Sequence, residues 1–295
     1  MADWHIGVIG GSGLYEPGAL DDAQEIEVAS SFGEPSGPIT TGMLGGVCFS
    51  FLARHGAGHR LSPSEVNFRA NIDALKRCGV TDLVAISAIG SLQEEMAPGE
   101  FVVVDQLIDR TIGRERSFFG GGVTAHVPLA DPVCPRLSDL AGKAAKKAGA
   151  TVHNGGNYVA IEGPQFSTRA ESLMFRQWGA HVIGMTAMPE ARLAREAELP
   201  YALLGMVTDY DCWRDAHADV DVTDILNVMR GNAETARTAL AELAGLLPKK
   251  REPSPIDTIL DFAVVTSPDK LDPRALARLD AIAPRLLESV SGRDR

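Results

Sequence analysis

Cysteine is scarce: there are four among 295 residues, Cys48, Cys78, Cys134 and Cys212, with no C-x-x-C pair. So scattered a set supplies neither a disulfide framework nor a zinc knuckle. Three of the four sit in apolar strand-like or helix-like surroundings and read as small hydrophobes in a reducing cytoplasm. Basic charge is also in deficit: 28 Lys and Arg against 39 Asp and Glu leave a net charge of −11. A reader of phosphate backbones needs the opposite balance, so nucleic acid is not expected as a partner. No apolar run approaches the roughly 18–20 residues of a membrane span, so no membrane partner is expected either. The start, MADWHIGVIGG, has Asp3 in place of a basic region and passes directly into a strand-like run, so no leader is expected. Internal repeats and low-complexity tracts are missing too. What remains is ordinary globular composition, 45% hydrophobic and 23% charged, long enough to bury a core without metal or disulfide staples.

Short apolar runs alternate with amphipathic stretches. Strands are expected at His5–Ile9, Val47–Ala53, Leu83–Ser87, Phe101–Asp105, Tyr158–Glu162, His181–Met185 and Ala202–Thr208. The Leu83 and Ala202 runs are apolar almost throughout, as strands covered on both faces are. Ser62-Pro63-Ser64-Glu65 reads as a capping box opening a helix, with Phe68, Ile72 and Leu75 on its buried face and Gly79 as its stop. Thr168-Arg169-Ala170-Glu171 reads as a second box, and that helix stops at Gly179. A long helix over Thr223–Leu246 follows. Strands separated by helices predict an α/β fold with a mixed, largely parallel sheet flanked by helices. PKKREPS, Pro248–Ser254, reads as a linker. It divides an α/β domain over 1–247 from an arm over 248–295, too short for its own core and packed on the same domain or on a neighbouring subunit.

Ligands of open α/β sheets bind beyond the carboxyl ends of the strands, so the residues after each strand carry the chemistry. They are Gly10-Gly11-Ser12-Gly13, Arg54-His55-Gly56, Ser87-Ala88-Ile89-Gly90-Ser91, Gly184-Met185-Thr186 and Thr208-Asp209-Tyr210-Asp211. The glycine loop reads as an anion cradle or as a tight turn. The sixth position of a dinucleotide fingerprint starting at Gly11 is Glu16, and no G-K-[ST] follows, so neither nucleotide-loop motif is met. Arg54 offers a fork suited to phosphate, with His55 beside it as a donor; a plain salt bridge is the other reading of the arginine. His55 and His59 stand four apart, but the glycines between them make a poor helix and no glutamate accompanies them, so a metal is not expected. Asp209 and Asp211 are the sharpest feature. Two carboxylates at one dry strand end do not both ionise cheaply, and one becomes a general acid; an acidic loop is the bland alternative.

Taken together, GVIGGSGLY, ARHG, SAIGS, EGPQFSTRAES, MTAMPE and TDYDCW resemble the 5′-methylthioadenosine phosphorylases of the purine nucleoside phosphorylase superfamily. The likeness runs from about residue 5 to 246 and more weakly through the arm. It implies a single α/β domain, a cytoplasmic homotrimer, no cofactor or metal, and inorganic phosphate as co-substrate. The implied reaction converts 5′-methylthioadenosine and phosphate reversibly into adenine and 5-methylthioribose 1-phosphate. Carried over position by position, phosphate lies against Ser12, Arg54, His55, Ser87, Ala88 and Thr186. Met185 packs on the ribose and Phe166 on the purine, with Asp209, Tyr210 and Asp211 around the base. Ser167 and Val222 match positions tied to substrate choice, and His126 matches a histidine contributed by the neighbouring subunit. The family commonly has threonine where Ser12 and Ser87 stand, and asparagine where this chain has Gly184.

The physics of the reaction fits these residues. Breaking the N-glycosidic bond builds positive charge on the sugar and negative charge on the base; phosphate below C1′ offsets the first, and a proton from Asp209 to N7 offsets the second. Asp211 either accepts from the 6-amino group or keeps Asp209 protonated. Rival readings are a phosphorylase for 6-oxopurine nucleosides, a hydrolase, and a nucleotide-binding regulatory or oxidoreductase domain. Paired aspartates favour a 6-amino base over the first. The hydroxyls and Arg54-His55 would be superfluous for the second, and the third leaves both aspartates unexplained.

Overall fold

A computed structural model describes residues 3–11, 14, 18–214 and 222–291, with the side chains of 222–227 and 289–291 outside the described set. In chain order the strands and α-helices are β1 (His5–Gly10), β2 (Asp21–Ile26), β3 (Ile39–Leu44), β4 (Val47–Ala53), α1 (Phe68–Arg77), β5 (Asp82–Ser91), β6 (Phe101–Val104), β7 (Gln106–Asp109), α2 (Pro135–Lys147), β8 (Val152–Asn154), β9 (Asn157–Ala160), α3 (Arg169–Gln177), β10 (Val182–Gly184), α4 (Ala187–Glu196), β11 (Tyr201–Asp209), α5 (Val222–Leu246), α6 (Pro273–Arg278) and α7 (Pro284–Ser291). All the expected strands form. Among the described residues they join one mixed sheet in the order β2-β3-β4-β1-β5-β10-β9-β7, with β11, β6 and β8 branching from β5.

β5 is the hub. It runs parallel to β1 along 82–85 and to β11 along 83–90, and meets β10 antiparallel at Gly90 and Ser91. Its end therefore lies beside the ends of both β10 and β11. Burial explains the position: Leu83, Val84, Ala85, Ile86 and Ile89 are all buried, so both faces of the strand need cover. One face packs Ile72 and Leu75 of α1 with Leu193 and Ala194 of α4. The other packs Leu137 and Ala144 of α2 with Ala236, Leu240 and Leu243 of α5.

Three local expectations need correction. Ser62–Glu65 forms a turn in which Ser62 N–H donates to Glu65 Oε2 at 2.9 Å; α1 starts only at Phe68, capped by Asn67 Oδ1, which accepts from Ala70 N–H. Thr168 does form the expected capping box on α3. PKKREPS is not an open linker, because Arg251 is buried, bonded to Asp82 and forked onto Asp257 at 2.7 Å. Cys134 alone of the four cysteines is fully buried. Beyond Arg251, Leu260, Ala263, Leu276, Leu279 and Ile282 join the same buried cluster as Ile72 and Leu75. Among the described residues no helix is long and apolar enough to cross a membrane.

Candidate active site

A β-bulge builds the acid end of the site. Val207 pairs with Ile89 and Asp209 with Gly90, so Thr208 is the extra residue and Asp209 is re-aimed at the strand end. Gly90 leaves room there: a Cβ would stand 3.0 Å from Asp209 Oδ1 and 3.0 Å from Ile183 Cγ2, so either side chain would have to give. Asp209 Oδ1 accepts from Asp211 N–H at 2.8 Å, and Oδ2 lies 2.7 Å from the Thr208 hydroxyl. That hydroxyl also reaches Ile89 O at 3.2 Å and has one proton for both acceptors. Burial pushes the Asp209 carboxyl above its usual range, against these hydrogen bonds, and the charge of Asp211 adds to the rise. Asp211 has a left-handed backbone, φ 49°. Its two oxygens face Ser167 Oγ at 3.0 and 2.8 Å, so the serine hydroxyl orients the second carboxylate.

Arg54 differs from the open fork expected of it. It is 2% exposed, and its Nε and Nη2 clasp Glu190 at 2.6 and 2.9 Å. Nη2 also donates to Ile9 O at 3.2 Å and Nη1 to Ile86 O at 3.3 Å. The bidentate edge is thus taken, leaving one N–H of Nη1 without a partner among the described residues. Burial opposes the charge, but the Glu190 carboxylate outweighs it and holds the guanidinium pKa above its ordinary value. Tyr201 completes the group by donating to Glu190 Oε1 at 3.0 Å. Glu190 and Tyr201 were not foreseen; the inward-facing glutamate of MTAMPE was the available signal.

His55 also changes role. Its Nδ1 lies 2.9 Å from Leu61 O, an obligate acceptor, so Nδ1 carries a proton. Burial, the nearby Arg54 charge and the stacked His59, 4.2 Å away, hold the ring pKa down at about 4. At neutral pH Nε2 therefore accepts rather than donates, the reverse of the expected polarity.

Ser87 within β5 and Thr186 just beyond β10 bring Oγ and Oγ1 within 3.2 Å, and Ser87 Oγ reaches Ala88 O at 3.1 Å. Thr186 N–H donates to the phenolic oxygen of Tyr158 at 3.3 Å. The departure at Gly184 now has a physical reason: a Cβ there would stand 2.1 Å from that oxygen. Met185 is anchored by Arg114, whose Nη1 donates to its carbonyl at 2.6 Å, and its sulfur lies beside Gly163, where a Cβ would come within 2.5 Å. Phe166 is 53% exposed next to Ser167.

The Tyr210 hydroxyl donates to Glu94 O at 3.3 Å and the Arg214 guanidinium lies 3.9 Å from its ring centroid. His126 is exposed on an extended segment whose N–H donates to Ala263 O of the arm at 2.8 Å. Phe262 and Val265 are also exposed there, at 97% and 56%. Ser12 lies outside the described residues, as does the side chain of Val222, the first residue of α5. Two clefts open away from the strand ends. One of about 460 Å³ lies between residues 115–121 and α6, and one of about 350 Å³ lies under the arm. Among the described residues no group of three His, Cys, Asp or Glu is placed to hold a metal ion.

A sequence profile of the phosphorylase superfamily matches residues 5–244. The S-methyl-5′-thioadenosine phosphorylase of Cereibacter sphaeroides is 56% identical over 285 residues, covering 96% of this chain and 98% of that protein. A crystal structure of a methylthioadenosine phosphorylase from an antarctic soil metagenomic library superposes with a TM-score of 0.90 at 44% identity, over 95% of this chain and 99% of that one. The methylthioadenosine phosphorylase of Schistosoma mansoni, solved with adenine, superposes with a TM-score of 0.79 at 38% identity, over 83% and 92% of the two chains.

Proposed function

The chain belongs to the phosphorylase superfamily, and from that premise we infer that it is a pentosyltransferase that phosphorolyses 5′-methylthioadenosine to adenine and 5-methylthioribose 1-phosphate. The observation that carries the reading is the convergence, on the neighbouring strands β11, β5 and β10 and the junction after β10, of a partly buried carboxyl with a raised pKa, Asp209, and the hydroxyl pair Ser87 and Thr186.

Each group has a task. Asp209 holds its proton to higher pH than an ordinary aspartate and delivers it to N7 as the base departs; such general acids contribute about 10²–10⁴ in rate. Asp211, oriented by Ser167, accepts from the 6-amino group, which a 6-oxopurine lacks. Phosphate sits against Ser87, Thr186 and the Ala88 backbone, with Ser12 from the glycine loop. Arg54 adds its charge from behind, through its one unengaged N–H. The neutral His55 accepts a hydrogen bond at Nε2 from the P–OH group of monohydrogen phosphate, which leaves the anionic oxygens to the hydroxyls and to the developing oxocarbenium ion. Met185 floors the ribose and Phe166 covers the purine. In a homotrimer the exposed His126, with the arm at Phe262 and Val265, closes the 5′ end of a neighbour's site. No resident cofactor has a task in this scheme.

The test is base release from 5′-methylthioadenosine, adenosine and 5′-methylthioinosine, each with and without phosphate. Adenine release from the first that stops without phosphate supports the reading. Release that continues without phosphate would mean a hydrolase.

A further inference from the structure

We propose that Tyr158 is a positioning residue for the phosphate subsite: from the volume vacated by Gly184, its phenolic oxygen fixes Thr186. The proposal rests on the phosphorolysis reading above and extends it to a residue outside the strand-end motifs.

Tyr158 lies on β9, paired in parallel with Val182 of β10, and its side chain is entirely buried. From there the ring passes beneath the end of β10 and places its oxygen 3.3 Å from Thr186 N, where it accepts the N–H. Gly184 makes the passage possible. A Cβ at 184 would meet the phenolic oxygen at 2.1 Å and Cζ at 2.7 Å. Gly184 is absent from the glycines with positive φ, so its backbone would accept any L residue. The three nearest atoms to that Cβ all belong to the Tyr158 ring and its hydroxyl.

The consequence falls on Thr186. Its hydroxyl is 3.2 Å from Ser87 Oγ, although β5 and β10 pair only through Gly90 and Ser91 with Val182 and Ile183, away from both groups. A threonine at a strand-to-helix junction, with no side-chain cap on α4, needs a second anchor if its hydroxyl is to hold one direction. The phenol supplies that anchor through the N–H of the same residue. Burial keeps the phenol protonated, and Arg54 lies within electrostatic reach of it, so Tyr158 joins the cation and the hydroxyl pair that face the phosphate.

The experiment compares wild type, Tyr158→Phe and Gly184→Ala by steady-state kinetics with phosphate varied, and by thermal unfolding with and without inorganic phosphate. Tyr158→Phe removes one hydrogen bond and should raise the phosphate KM about 2–10-fold, with the nucleoside KM at saturating phosphate within about twofold. It should also shrink the rise in Tm that phosphate produces, which a purely structural role would leave intact. Gly184→Ala pushes the phenol aside with Thr186 unaltered, and should raise the phosphate KM in the same way. An unchanged phosphate KM in a folded Tyr158→Phe, with Tm lowered equally with and without phosphate, overturns this proposal alone. Base release by the wild type that ignores phosphate overturns the phosphorolysis reading and this proposal with it.

Discussion

Replacing Glu190 with glutamine tests the electrostatic frame of the site. In the wild type Arg54 and Glu190 are 2% and 0% exposed, and the guanidinium Nε approaches the carboxylate at 2.6 Å. The substitution keeps size and shape but removes the countercharge. It also points an amide N–H₂ at one of two N–H donors, so only one of the two charge-assisted bonds survives. Breaking a buried pair from one side costs about 3–5 kcal/mol, because the remaining charge is left uncompensated. At roughly 2 °C per kcal/mol for a chain of this size, Tm should fall by about 6–10 °C. Phosphate should then rescue the variant: an anion in front of Arg54 neutralises the exposed debt of charge, so the phosphate-induced rise in Tm should be larger in Glu190→Gln than in the wild type. Differential scanning fluorimetry across a phosphate titration, with chloride at the same ionic strength as control, measures both effects. A Tm within about 1 °C of wild type would refute the buried pair. A full loss of stability with no enhanced phosphate response would refute the placement of Arg54 behind the phosphate.

Asp209→Asn should fold normally yet lose about 100-fold or more in turnover of 5′-methylthioadenosine. In the wild type the active form is the neutral acid with a raised pKa, so turnover should hold below that pKa and fall as pH rises through it, a limb absent from the variant. His55, with a pKa of about 4, should contribute no step to the phosphate KM near the ordinary histidine value of about 6.5. The fold favours the neutral ring, so its contribution to stability is present at neutral pH and is lost as pH falls from about 6.5 towards 4; imidazole NMR titration reads the ionisation directly, and a midpoint near 6.5 would contradict a ring buried beside the Arg54 charge. Ser167→Ala removes the hydroxyl that faces both oxygens of Asp211 and should raise the KM for the 6-amino nucleoside about tenfold while leaving the phosphate KM unchanged; equal effects on both substrates would place Ser167 elsewhere in the mechanism.

The strands that carry the site were legible because burial on both faces writes itself as unbroken apolar runs, as in Leu83–Ile86 and Ala202–Leu204. β2 was not, since DDAQEI lies almost wholly exposed at the sheet edge and has no apolar alternation to read. Asp209, Asp211, Ser87 and Thr186 were legible as residues that follow strands, and the bulge at Thr208 that aims Asp209 has no sequence signature. Partnerships were the larger gap. Arg54 read as a free fork because its partner lies 136 residues away, and His55 read as a donor because the proton on Nδ1 is fixed by a backbone carbonyl that sequence does not place. Tyr158 looked like an ordinary strand residue and Gly184 like an unexplained departure from the family's asparagine; the 2.1 Å conflict between a Cβ and the phenol couples them.

The central claim is that phosphate, not water, receives the sugar. ³¹P NMR of wild-type enzyme with 5′-methylthioadenosine and inorganic phosphate measures this directly. The account predicts a new sugar 1-phosphate resonance that grows in equimolar step with adenine and at the expense of inorganic phosphate. Adenine appearing beside an unchanged phosphate signal, with free methylthioribose as the second product, would contradict it.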